Sequence, residues 1–147
     1  MTMRIARIAT TAFLCEDYRH TPAMNVARAA DYIRRARSER ADIVCLPEMV
    51  TTANVAPGLE YEAEDYPGEF TRAFRAAARA AGINVVAPYL ARSGGKLYNQ
   101  ATVIDRKGKI VGVYRKIQPT AEERRRVTPG NEFPVFDMDF GRIAVMI

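Results

Sequence analysis

The architecture of the chain is best read from one short segment, Ile43-Val44-Cys45-Leu46-Pro47-Glu48. Four consecutive apolar residues, too few for a helix, are typical of a central β-strand that is covered on both faces. A proline and a glutamate follow directly. Because ligands in open α/β sheets bind at the carboxyl ends of strands, the segment predicts a buried strand that presents Glu48 at the functional edge of a sheet.

A strand and a helix are predicted before this segment. Residues 5–13 are rich in isoleucine, alanine and threonine, which predicts the first strand. Thr21-Pro22 is a favourable helix start, because threonine caps helices and proline suits the first helical position. The apolar residues that follow recur at helical spacing, which predicts a helix with one buried stripe that ends near Glu39.

Another helix and several strands are predicted after the segment. A loop over residues 51–67 leads to Gly68, where a second helix starts, and this helix ends at Gly82, since glycine readily takes the left-handed conformation that closes helices. Strands are predicted over residues 84–90, 97–104, 110–114, 133–136 and 142–147. The order strand, helix, strand, helix and then strands indicates an α/β fold with helices packed on a sheet.

The composition predicts one soluble, globular domain. The chain has 147 residues, of which 48% are hydrophobic and 27% charged, and this argues against intrinsic disorder. Its net charge of +5 comes from interspersed acids and bases, so a solvated surface explains it better than nucleic-acid binding does. No apolar run approaches the ~20 residues of a membrane helix, and we expect a cytoplasmic protein without a membrane partner.

Cysteine and histidine are too few for a disulfide framework or a dedicated zinc site. Cys45 lies in the predicted buried strand, Cys15 follows the first strand, and neither belongs to a Cys-x-x-Cys pair. His20 is the one histidine of the sequence, and we expect it in a loop. The sequence therefore predicts free cysteines and no metal centre.

Three charged residues stand out by their context. Glu48 and Lys116 each end a predicted strand, and Glu123 follows Lys116 by seven residues. Taken singly, each fits an ordinary surface charge, and Glu123 beside Arg124-Arg125-Arg126 fits a salt-bridged turn. The arginine run could also contact phosphate, but no nucleic-acid motif accompanies it. On the residues alone, the surface interpretation is the better one for each of them.

Three segments, taken together and in this order, nevertheless resemble blocks of the carbon–nitrogen hydrolase (nitrilase) superfamily. They are Asp42-Ile43-Val44-Cys45-Leu46-Pro47-Glu48, Gly112-Val113-Tyr114-Arg115-Lys116 and Phe140-Gly141-Arg142-Ile143-Ala144-Val145-Met146-Ile147. The resemblance extends over essentially the whole chain, and residues 116–124 look like the lysine segment of the nitrilase and aliphatic-amidase branches. Each block is moderately specific, whereas three blocks in register are a strong signal.

The resemblance implies a nitrilase-like α-β-β-α sandwich, in which residues 1–147 form roughly the first half of a carbon–nitrogen hydrolase domain. It also implies catalytic roles for Glu48 and Lys116, with Glu123 assisting. In relatives the nucleophilic cysteine follows the strand that here ends at Ile147. We therefore expect that cysteine as the next residue, and we expect the printed chain alone to be inactive. Neither of its own two cysteines matches the family's motif.

The implied reaction is hydrolysis of a non-peptide carbon–nitrogen bond through a Glu-Lys-Cys triad and a thioester. Amide or N-carbamoyl substrates that release ammonia come first, and nitriles come second. The resemblance implies no cofactor or metal, and it implies a homo-oligomer. An alternative of another class is a non-catalytic fragment or pseudoenzyme that acts by binding a partner. The family also suggests that Tyr98-Asn99 lies near the active site, although packing in a hairpin explains that segment equally well.

Overall fold

The computed structural model describes residues 5–13 and 18–147. Within these ranges the chain forms two α-helices, eight β-strands and one 3-10 turn. In chain order the elements are β1 (Ile8–Thr10), α1 (Pro22–Ser38), β2 (Ile43–Cys45), β3 (Glu64–Asp65), α2 (Glu69–Ala81), β4 (Asn84–Ser93), β5 (Lys96–Ile104), β6 (Ile110–Arg115), the 3-10 turn (Glu123–Arg125), β7 (Val135–Met138) and β8 (Gly141–Ala144).

Six strands form the main sheet. Five of them lie in the order β1-β2-β4-β5-β6, and β3 adds to the end of β4. The first three strands of this order are parallel, whereas β4, β5 and β6 form an antiparallel meander. The carboxyl ends of β2 and β6 and the amino end of β5 therefore meet at one edge of the sheet, which is the edge that carries the candidate site.

Both helices cover the same face of the sheet. Their apolar stripes, with Ile33 from α1 and Phe74 from α2 fully buried, pack on the side chains of β2 and β4. Burying a side chain of this size stabilises the fold by roughly 1.5–3 kcal/mol. The Thr21 hydroxyl caps α1 by accepting a hydrogen bond from the Met24 N–H, and Gly82 closes α2 with φ 66°. The limits predicted for both helices are confirmed.

The opposite face of the sheet is covered in part by the hairpin of β7 and β8. Phe136 of β7 is buried there with apolar residues of β2, β4, β5 and β6. Gly112 of β6 makes this approach possible, because an added Cβ would lie 2.6 Å from the Phe136 ring. The hairpin thus forms a second β-layer, and the order of layers is helices, sheet, hairpin.

The sequence misjudged the lengths of the first and the last strand. The first strand covers only Ile8–Thr10 instead of residues 5–13, and Ile8 is largely exposed. The last strand was predicted as a buried strand over residues 142–147, but it ends at Ala144, and Met146 is 78% exposed. Within the described part of the chain β8 pairs only with β7, so the backbone groups along its other edge have no pairing strand.

Candidate active site

Three separate segments bring polar side chains to the shared edge of the sheet. Glu48 follows the end of β2, Asn99 lies near the start of β5, and Lys116 follows the end of β6. The antiparallel pairing of β5 and β6 sets two of them side by side, since the Lys116 backbone N–H donates to the Asn99 carbonyl at 2.9 Å. The topology therefore assembles a cluster from residues that are far apart in sequence.

The Lys116 ammonium lies between two carboxylates. Its Nζ donates to Glu48 Oε1 at 2.7 Å and to Glu123 Oε1 and Oε2 at 3.1 and 3.0 Å. Lys116 and Glu123 are buried, whereas 46% of the Glu48 side chain is exposed. The structure thus brings together all three residues that the sequence singled out, and Glu48 is the member that a solute can reach.

Glu123 is fixed by a reciprocal pair of hydrogen bonds with Thr120. The Glu123 backbone N–H donates to the Thr120 hydroxyl at 3.2 Å, and the Thr120 backbone N–H donates to Glu123 Oε2 at 2.7 Å. This is the geometry of a capping box, in which threonine and a glutamate three residues later satisfy each other's backbone donors. The pattern Thr-x-x-Glu is visible in the sequence, and it is the signal that would have identified Thr120.

Asn99 is a member of the cluster that was not among the predicted site residues. Its Nδ2 donates to Glu48 Oε1 at 2.8 Å and to Glu123 Oε1 at 3.1 Å, and the residue is fully buried. Of the two interpretations of Tyr98-Asn99, proximity to the site is therefore the one that applies to Asn99. No local pattern distinguishes this amide from an ordinary strand residue, because its partners come from the segments that follow β2 and β6.

The charges of the cluster stabilise one another. Burial alone would lower the pKa of Lys116, but the hydrogen bonds and negative charges of Glu48 and Glu123 outweigh it and raise that pKa. Burial would likewise raise the pKa of Glu123, but the Thr120 N–H, Lys116 and Asn99 together lower it to about 2. Lys116 and Glu123 therefore stay charged throughout the neutral range.

The stability of the protein should consequently fall in acid because of Glu123. Its pKa of about 2 in the folded state lies below the ordinary value of 4.5, so its contribution is complete above pH 4.5 and is lost as the pH falls toward 2. We expect this contribution to be on the order of 3 kcal/mol. The raised pKa of Lys116 acts at the other end, where its contribution is complete below pH 10.5 and is lost at higher pH.

Urea unfolding of the full-length protein between pH ~7 and pH ~3 measures the acid effect. The Glu123→Gln variant is the control, since it cannot ionise and should lose less of its unfolding free energy over this range. Equal losses in the two proteins would contradict the role of Glu123. The Glu122→Gln variant should behave as the wild type, because Glu122 is exposed.

The backbone turns sharply directly after Glu48. Met49 has φ 50°, a left-handed conformation that costs a non-glycine residue about 1–3 kcal/mol. The turn is held by the Val50 N–H, which donates to the carbonyl of Pro88 at 2.8 Å. The strained residue thus redirects the chain at the point where Glu48 leaves the sheet and meets Lys116.

Gly130 supports the backbone of Lys116 from the loop that follows the 3-10 turn. Its N–H donates to the Lys116 carbonyl at 2.9 Å, and an added Cβ would collide with the carbonyl oxygen of Arg115 and lie 2.8 Å from the Arg115 Cβ. We expect Gly130→Ala to lower the unfolding free energy of the full-length protein by about 1–3 kcal/mol. Chemical denaturation measures this, with exposed Asn131→Ala as the control; equal stability of the two variants would contradict the close contact.

Glu48 lines an open cleft of about 390 Å³. The other walls are mainly apolar and include Val86, Met146, Ile147 and Cys45. The prediction that Cys45 is buried was wrong in degree: it is a free, half-buried cysteine, and burial raises the pKa of its thiol. Cys15 lies outside the described residues.

Other candidate residues make contacts within the chain. His20 Nδ1 shares a hydrogen bond with Asn25 Oδ1 at 2.9 Å. The part of the chain that the structure describes has no group of three or more His, Cys, Asp and Glu side chains that could hold a metal ion.

The arginine run at residues 124–126 also makes contacts within the chain. Arg124 donates to the Pro119 carbonyl at 3.1 Å, and the Arg126 guanidinium lies 4.5 Å from the centre of the Tyr61 ring. Two members of the arginine run are thereby engaged internally.

Among residues 5–13 and 18–147, no helix has both the length and the apolar character that crossing a lipid bilayer requires.

Proteins of known activity are similar to this chain in sequence. Omega-amidase NIT2 from Homo sapiens is 32% identical, with 84% of this chain and 48% of that protein covered. A nitrilase from Pyrococcus abyssi is 34% identical, with 86% and 50% covered. The chain therefore spans about half the length of these relatives.

Solved structures share the fold. The carbon-nitrogen hydrolase from Helicobacter pylori G27 matches with a TM-score of 0.77 at 22% identity, covering 96% of this chain and 50% of that chain. The amidase from Nesterenkonia sp. AN1 in complex with butyramide matches with a TM-score of 0.76 at 20% identity, covering 96% and 55%. These matches confirm the predicted α/β fold of the nitrilase superfamily. Since residues 7–147 also match the carbon-nitrogen hydrolase family in sequence, this chain belongs to that family.

Proposed function

We propose that the full-length protein hydrolyses a non-peptide carbon–nitrogen bond and that residues 1–147 supply three of its catalytic groups. The observation that carries the proposal is the contact of the Lys116 ammonium with two carboxylates, at 2.7 Å from Glu48 and 3.0 Å from Glu123, at the rim of an open cleft. A surface salt bridge would not need a lysine that is only 8% exposed, with both carboxylates converging on it.

Glu48 is the proposed general base and then general acid. It takes the proton of a cysteine thiol, and the thiolate sulfur attacks the carbonyl carbon of the substrate. When the carbon–nitrogen bond breaks, Glu48 returns the proton to the leaving ammonia or amine. In the second half of the reaction, which hydrolyses the thioester, Glu48 takes a proton from water and the water oxygen attacks the thioester carbon. The cysteine thiolate then leaves, and Glu48 returns the proton to it. The exposure of Glu48, unlike that of its two partners, supports this assignment.

Lys116 is the proposed stabiliser of developing negative charge. Attack on an amide, ureido or nitrile carbon places that charge on oxygen or nitrogen, and a fixed ammonium in a largely dry site stabilises it. Its raised pKa supports this role, because the amine keeps its proton at neutral pH. Glu123, held by its capping box, is the proposed assistant that orients Lys116.

The nucleophile is proposed to be a cysteine that follows Ile147 in the full-length protein. Ile147 lines the same cleft as Glu48, so the residue after it starts at the rim where the base lies. Cys45 also lines this cleft. Burial raises the pKa of its thiol, however, and thereby lowers the fraction of reactive thiolate. The proposed domain is then a complete carbon–nitrogen hydrolase domain of which residues 1–147 are the first part.

Amides and N-carbamoyl compounds are the proposed substrates, with ammonia as a product. Support comes from the omega-amidase among the similar proteins and from the butyramide bound to a structurally similar amidase. A nitrile is the second candidate, and the similar nitrilase from Pyrococcus abyssi favours it. We further propose a cytoplasmic homo-oligomer that binds small molecules without a cofactor and has no nucleic-acid or membrane partner.

The coding sequence beyond residue 147 and one assay test the proposal. The full-length protein should carry a cysteine directly after Ile147 and should release ammonia from at least one amide, ureido acid or nitrile in a panel. A stop codon or another residue at that position, together with no ammonia release, would favour the alternative of a non-catalytic protein that binds a partner.

A further inference from the structure

The side-chain amide of Asn99 joins the two carboxylates of the cluster. Its Nδ2 carries two hydrogens, and one is directed to Glu48 Oε1 at 2.8 Å while the other is directed to Glu123 Oε1 at 3.1 Å. We propose that Asn99 is a positioning residue, which holds both carboxylates around Lys116 and leaves Glu48 Oε2 as the oxygen that exchanges protons with the nucleophile and water. This inference rests on the proposed function.

The orientation of this amide is dictated by its neighbours. A flipped amide would set Oδ1 against two carboxylate oxygens, and these are all acceptors. In the observed orientation Oδ1 is buried and accepts no hydrogen bond from any residue that the structure describes. A buried acceptor without a partner costs about 1–3 kcal/mol. The side chain is therefore held by the two carboxylates despite this cost, and the cluster determines which way it points.

The two hydrogen bonds that reach Glu48 fall on the same oxygen. Lys116 Nζ lies 2.7 Å and Asn99 Nδ2 lies 2.8 Å from Glu48 Oε1. Oε2 receives neither of them. Two hydrogen-bond donors on one oxygen fix the rotation of the Glu48 carboxylate, which is otherwise half-exposed. A general base works only when its proton-accepting atom is held within reach of the group that gives up the proton. Asn99 thus helps to fix the orientation of the Glu48 carboxylate, with Oε2 as the oxygen that neither Asn99 nor Lys116 contacts.

A neutral amide suits this position better than a charged group does. Lys116 already supplies one positive charge between two negative ones, so the cluster keeps one net negative charge. A second cation beside a carboxylate favours its ionised form and weakens it as a base, and a third carboxylate would repel the other two. An amide supplies two donors and no charge.

The test is the Asn99→Leu variant of the full-length protein, which keeps a side chain of similar size and removes both donors. We expect kcat to fall about 10–100-fold, because a misdirected base loses rate, while KM stays within about threefold. Gln100→Leu is the matched control: Gln100 is an equally buried amide on the same strand, but it donates to Thr102. It should keep the wild-type kcat. If Asn99→Leu does not fold, Asn99→Ser replaces it.

A second measurement does not depend on turnover. In the protein labelled with ¹³C at glutamate carboxyl groups, the Glu123 carboxyl should titrate at a higher pH in Asn99→Leu than its wild-type pKa of about 2, since one of its donors is gone. Gln100→Leu should leave it unchanged. An unchanged Glu123 titration together with an unchanged kcat would overturn the inference. If the wild type releases no ammonia, the proposed function fails, and a titration that still moves shows that Asn99 positions the carboxylates nonetheless.

Discussion

We expect the Glu48→Gln variant of the full-length protein to fold normally and to lose its ammonia release by ~10²–10⁴-fold, the usual contribution of a general base. Glutamine keeps the shape of the side chain and still accepts from Asn99 and Lys116, but it cannot take a proton. Because the side chain is 46% exposed, the loss of its charge should change stability little. The reaction needs Glu48 in both halves, so kcat should fall together with kcat/KM.

Ammonia release under steady-state conditions measures this loss, and circular dichroism with a thermal melt checks the fold. Glu122→Gln is the control, because Glu122 is an exposed glutamate in the segment that carries Glu123. It should keep the wild-type rate. A Glu48→Gln protein that is folded and as active as this control would remove Glu48 from the mechanism.

The Lys116→Met variant has the second large effect, a loss of ~10²–10³-fold in kcat, since the charge that develops on the substrate loses its ammonium. Methionine fills most of the space of the lysine stem without a charge. Removing one partner of a buried pair also destabilises the fold, by about 3–5 kcal/mol where the remaining charge is fully uncompensated. The pKa of Glu123 should therefore rise from about 2.

A double variant separates these two effects. Lys116→Met with Glu123→Gln leaves no uncompensated charge at the buried end of the cluster, so it should recover stability while it stays inactive. Lys109→Met is the control for general loss of a lysine, because Lys109 is exposed at the turn between β5 and β6. A rate recovered in the double variant would show that Lys116 acts only through the fold.

The helices and the central strands could be predicted from the sequence, because their signals are local. Thr21-Pro22 marks the start of α1 and Gly82 marks the end of α2. The short apolar run that starts at Ile43 is typical of a central strand covered on both faces. The lengths of β1 and β8 could not be predicted to the same accuracy, as Ile8 illustrates, because the sequence does not show whether another layer of the protein covers the apolar side chains of a strand.

The candidate site was predictable in part for a related reason. Glu48 and Lys116 lie at strand ends, and the three blocks of the family place them in register. Asn99 has no such signal, because its role depends on the pairing of β5 with β6 and on two carboxylates that lie 51 and 24 residues away. Thr120, by contrast, has a local signal, because the pattern Thr-x-x-Glu of its capping box is visible in the sequence.

The topology of the sheet implies an order of assembly for the charged cluster. Asn99, Lys116 and Glu123 lie within or just beyond the antiparallel meander, whose strands are consecutive in the chain, whereas Glu48 joins through the parallel pairing of β2 with β4. Loops that close over short distances form faster than those that require a long crossover. The lysine, the amide and the inner carboxylate can therefore meet early in folding, and the outer carboxylate completes the group only when the amino-terminal strands dock.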